Sequence, residues 1–74
     1  MDERALKKLQ EIITILTKMK KENNPNSQGF NDRMIVAKDI YLRNKKNKEF
    51  VKSLTSSIND SNEEIFELVI STTE

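Results

Sequence analysis

Residues 2–22, DERALKKLQEIITILTKMKKE, carry the stretch that decides the fold. Apolar side chains at Ala5, Leu9, Ile12, Leu16 and Met19 step by four and three, the spacing that puts them on one face of an α-helix. A second set, Leu6, Leu9, Ile13 and Leu16, runs alongside and widens the stripe beyond the two-position seam of a coiled coil. A helix with so wide an apolar face contacts more than one neighbour. Asp2 and Glu3 near its start and Lys18, Lys20 and Lys21 near its end suit the helix dipole.

Outward from that helix, Asn23-Asn24-Pro25-Asn26-Ser27-Gln28-Gly29 breaks the pattern, because proline lacks a backbone donor and pushes the preceding residue out of helical geometry. A flexible loop over 23–30 follows, with Phe30 docking back on the core and Asn31 or Asp32 capping the next helix. Met34 to Leu42 then gives a helix over 32–44, and Phe50, Val51, Leu54 and Ile58 give another over 47–58. The apolar-free run Arg43-Asn44-Lys45-Lys46-Asn47 separates them, since asparagine can end one helix or cap the next. One long helix is the competing arrangement, because neither Gly nor Pro interrupts the stretch. Asn59-Asp60-Ser61-Asn62 is the next break, where Ser61 and Glu64 have the form of a capping box ahead of a helix over 62–71. The β-branched content of Ile65–Ile70 also suits a strand, but a lone strand leaves its backbone groups unpaired. The expected fold is therefore all-α, a single small bundle of three to four short helices with a frayed C-terminus.

Composition limits the chemistry. The 74 residues include no cysteine and no histidine, which removes Cys or His zinc sites, thiolate nucleophiles, disulfides and imidazole bases. A single glycine, Gly29, cannot build a phosphate-cradling loop. No carboxylate pair has a spacing that would hold it around a substrate, and the lysines lie in polar runs rather than in the buried surroundings that a catalytic amine needs. No enzyme activity and no cofactor are expected. Apolar runs are too short to span a bilayer or to form a signal peptide, so a cytoplasmic protein is expected, and the Asn59-Asp60-Ser61 glycosylation triplet then has no meaning.

The near-neutral total of +1 conceals a segregation. Residues 1–54 carry 13 basic and seven acidic side chains, net +6, whereas residues 55–74 carry five acidic and no basic ones, net −5. Two functional readings follow. Leu, Ile, Val and Phe number 20, a thin supply spread over more faces than one small bundle needs. Below about 70–80 residues a core rarely stabilises by more than about 3–5 kcal/mol, and association is a common supplement. Ile12, Ile15, Met19, Phe66, Val69 and Ile70 are the expected contacts of a self-associating protein-interaction module.

The alternative is a nucleic-acid-binding regulator using Arg43, Lys45, Lys46, Lys48 and Lys52 on phosphates, with asparagine reading adenine edges. Lysine outnumbers arginine ten to three, and Tyr41 is the only aromatic near the cluster suited to exposure for base stacking, which both weigh against it. Whether the acidic segment folds against 43–52 separates the two readings.

Overall fold

The computed structural model describes residues 3–22 and 28–71 and shows four helices and no strand among them: α1 (Glu3–Lys21), α2 (Gln28–Asn44), α3 (Lys48–Ser56) and α4 (Glu63–Ile70). The all-α expectation holds, and each helix follows its local sequence. Along α1 the buried residues are Leu9, Ile12, Ile13 and Leu16, the centre of the wide stripe. The two threonines on its polar side donate their hydroxyls back into the helix, Thr14 Oγ1 to the Gln10 carbonyl at 3.0 Å and Thr17 Oγ1 to the Ile13 carbonyl at 2.8 Å.

α2 begins at Gln28, four residues before the expected start, so residues 28–30 of the expected loop are helical and 23–27 lie outside the described residues. Asn31 and Asp32 are therefore inside the helix and do not cap it. Asp32 instead accepts from Gln28 Nε2 at 3.0 Å, one turn back. The first-turn N–H groups of a helix need no intrahelical partner, so polar residues and a glycine there are tolerated better than in the middle. Phe30 does reach the core, and with Met34, Ala37 and Tyr41 it makes the inward stripe.

Two helices, not one, occupy 28–56. Asn47 adopts an extended backbone, φ −86° and ψ 109°, and its side-chain oxygen accepts from the N–H groups of Glu49 (3.0 Å) and Phe50 (3.2 Å), a full N-cap of α3. A continuous helix over these residues would be about 43 Å long, longer than the 33 Å greatest extent of the molecule. α3 stops at Ser56, two residues short of expectation, because Ser57 closes the end by donating both its N–H and its hydroxyl to the Leu54 carbonyl.

The expected capping box at Ser61 is absent. Ser61 turns its N–H (2.9 Å) and its hydroxyl (2.6 Å) to Asn59 Oδ1, two residues back, and Asn62 Oδ1 accepts from the Asn59 N–H at 2.8 Å. Asn62 takes the N-cap position of α4 without a side-chain cap bond. The asparagines thus spend the local hydrogen-bonding capacity on closing the turn, leaving no hydroxyl for the Glu64 N–H.

α1 is the central element: α2, α3 and α4 all pack on it, and α4 also packs on α2. The core consists of Leu9, Ile12, Ile13 and Leu16 from α1, Phe30 and Ala37 from α2, Phe50 and Leu54 from α3, and Ile65 and Val69 from α4. No polar side chain is buried among the described residues. The radius of gyration of 11.6 Å is close to the roughly 11 Å expected of a compact chain of this length.

Candidate functional site

Subtracting the core from the apolar supply leaves a surface. α2 spends Phe30, Met34, Ala37 and Tyr41 on the interior, stepping by four, three and four. Ile35, Val36 and Leu42 fall off that stripe and are exposed, Ile35 to 66%. On α1 the same reasoning isolates Ile15, 41% exposed beside buried Ile12 and Leu16. Packing of the two helices brings Ile15 and Val36 to one groove of about 420 Å³. α1 contributes Lys8, Glu11, Ile12 and Ile15, and α2 contributes Gly29, Asp32, Arg33 and Val36. The apolar floor is flanked by two cations and two anions, one of each sign from each helix.

The six residues expected from sequence to make the contact face do not form one face. Val69 is fully buried in the core and so is not exposed for contact, whereas Ile12 is a core residue that also lines the α1/α2 groove. Ile15 is exposed in the α1/α2 groove, whereas half-buried Phe66 and Ile70 line a different groove of about 350 Å³ between the end of α3 and α4. Met19 is half-buried against the core. Ile35, Val36, Leu42 and Leu68 are the exposed apolar residues missed by sequence reasoning. For the three on α2 a signal was available in the phase of that helix: a residue that continues an apolar run but breaks the four-three rhythm points away from the interior.

No known protein family, curated protein or solved structure matches this chain. Its own geometry must carry the functional argument.

The basic segment is placed as follows. Arg43 pairs with Asp39 one turn back at 3.1 Å, Lys45 and Lys46 sit in the turn between α2 and α3, and Lys48 and Lys52 are exposed on α3. No ion pair among the described residues engages Lys46, Lys48 or Lys52. The acidic segment turns elsewhere: Glu64 pairs with Lys20 of α1, and α4 packs on α1 and α2. Among the described residues, the acidic segment therefore does not neutralise Lys46, Lys48 or Lys52 through ion pairs. The asparagines of the cluster are committed to the backbone, Asn47 as the α3 cap and Asn44 donating Nδ2 to the Ile40 carbonyl at 2.8 Å. Neither keeps its amide free to grip a base edge bidentately.

A polar recess of about 350 Å³ between α1 and the 59–62 turn holds Thr14, Thr17, Lys18, Lys21, Asn59, Ser61 and Asn62. Its hydroxyls are already donated, to backbone carbonyls of α1 and to Asn59, so they have no adjacent base to activate them. Among the described residues no group of three or more acidic side chains is arranged to hold a metal ion, and no helix is long and apolar enough to cross a membrane.

Proposed function

We propose that this chain is a non-enzymatic protein-interaction module that self-associates through its α1/α2 face. The observation that carries this reading is the groove in which exposed Ile15 and Val36 lie between Lys8 and Glu11 on one wall and Asp32 and Arg33 on the other. A surface with equal numbers of both charges suits its own copy turned about a two-fold axis, where each cation can meet an anion. A partner of one charge sign would meet half its contacts as repulsions. Ile35 adds a further exposed apolar side chain on α2, and a core of ten buried residues among those described leaves the monomer with reason to bury more.

Sedimentation at micromolar concentration is the direct test. A dimer is expected, and Ile15→Glu or Val36→Glu should convert it to a monomer whose helical circular dichroism is retained, because both positions are solvent-exposed in the monomer. A strictly monomeric native chain overturns the reading. The second reading, nucleic-acid binding, is favoured by one observation, the freedom of Lys46, Lys48 and Lys52 from ion pairs. It requires an affinity for duplex DNA that falls with salt at about 0.9 per phosphate contact in logarithmic slope, and that is lost in Lys46→Ala/Lys48→Ala.

A further inference from the structure

A second groove shares no residue with the α1/α2 face. Its floor is apolar, formed by Ile58 after α3 and by Phe66 and Ile70 of α4, all half-buried. Its rim is acidic: Asp60, Glu63 and Glu67 are exposed, and none of them takes part in an ion pair among the described residues. No cation lines it. Positions 63, 66, 67 and 70 run the length of α4 at helical spacing, with the two carboxylates exposed and the apolar pair half-buried.

We infer that this groove docks a cationic amphipathic helix of another protein, one that presents apolar side chains at three- and four-residue spacing flanked by Lys or Arg. The apolar anchors seat on Ile58, Phe66 and Ile70, and the flanking cations meet the three carboxylates. A straight ridge at 63, 66, 67 and 70 is matched by a partner whose own contacts recur at the same spacing, which an extended peptide does not supply. Nucleic acid and anionic lipid carry the wrong sign. A second copy of this chain fits poorly, because its basic run Arg43-Asn44-Lys45-Lys46-Asn47-Lys48-Glu49 holds no apolar side chain to fill the floor. The docking is independent of self-association at the α1/α2 face.

The test is fluorescence anisotropy of a labelled synthetic helix of Leu and Lys, with leucines on one face, titrated with the full chain. Two counter-probes accompany it: the same peptide with Glu in place of Lys, and a scramble of identical composition without helical spacing. The Leu/Lys helix is expected to bind and both counter-probes to bind at least about tenfold more weakly. Glu63→Lys with Glu67→Lys should weaken it by about tenfold or more, since two attractive rim contacts become repulsive. Ile70→Gln should weaken it as well. Glu22→Lys with Glu49→Lys, an equal change of charge at exposed positions outside both grooves, should leave the affinity within about twofold. The Ile15→Glu variant should bind the helix as the native chain does, so that failure of the dimer and failure of this docking are told apart. The proposal is overturned if the Leu/Lys helix does not bind, if the scramble binds as well, or if the control pair weakens binding as much as the rim pair. It is also overturned if the rim pair abolishes self-association, which would put a second copy in the groove.

Discussion

Asn47→Ala is the sharpest probe of the fold, because the break between α2 and α3 and a continuous helix predict effects of opposite sign. With the break, the Asn47 side chain satisfies the N–H groups of Glu49 and Phe50 at the head of a nine-residue helix. Removing a cap of this kind costs about 1–2 kcal/mol. α3 is too short to hold itself, and it seats Phe50 and Leu54, both fully buried, so the loss is felt by the whole domain. A chain of this length has about 4–11 kcal/mol of total stability at the usual per-residue range, which makes the cap a visible share. With a urea slope near 1 kcal/mol per molar, the unfolding midpoint should fall by about 1–2 M. In a continuous helix Asn47 would be an interior residue, and alanine there would stabilise by about 0.5 kcal/mol. Urea titration followed by circular dichroism at the helical band measures the sign directly. Asn47→Asp, which keeps the acceptor, should stay within about 0.5 kcal/mol of the native chain. A midpoint that rises in Asn47→Ala, or does not move, refutes the capped break.

Two further substitutions probe the packing of α2. Ala37 is completely buried where α2 meets the rest of the core, so Ala37→Leu should overpack and cost about 1–3 kcal/mol, read as a lower melting temperature; an unchanged melt would mean that α2 is not closely seated there. Gly29 lies in the first turn of α2, and an added Cβ would meet Arg33 Nη1 at 2.8 Å and Met19 Cε at 3.8 Å. The first of these is the tip of a flexible side chain that gives up one exposed hydrogen bond to the Gly29 carbonyl as it swings away. Gly29→Ala should therefore stabilise by about 0.5 kcal/mol through helix propensity, and a lower urea midpoint would contradict it.

The helices were legible because their apolar residues recur at helical spacing, most clearly along α1. The termini were less so, and each miss has a local cause. Ser61 and Glu64 have capping-box spacing, yet Asn59 lies closer in sequence and captures the serine hydroxyl first. Gln28 and Gly29 carry loop composition, yet their place in a first turn asks little of their backbone donors. The contact face was the hardest part to read. Ile12 and Val69 share helical phase with residues that are also buried, whereas Ile35 and Val36 are out of phase with the inward stripe of α2, though which of its faces turns inward is a tertiary fact. The basic cluster was visible as a run of charges, but the commitment of Asn44 and Asn47 to the backbone depends on where the helices end.

The absence of buried polar side chains among the described residues has a consequence for adaptability. Dispersion contacts have no fixed direction, so when one helix slides on another no buried hydrogen bond must be broken and remade. Shear between packed helices is then a low-cost motion, and α1, on which the other three rest, is the rail along which it occurs. The helices that wall each groove can then change their spacing without breaking a buried side-chain hydrogen bond among the described residues.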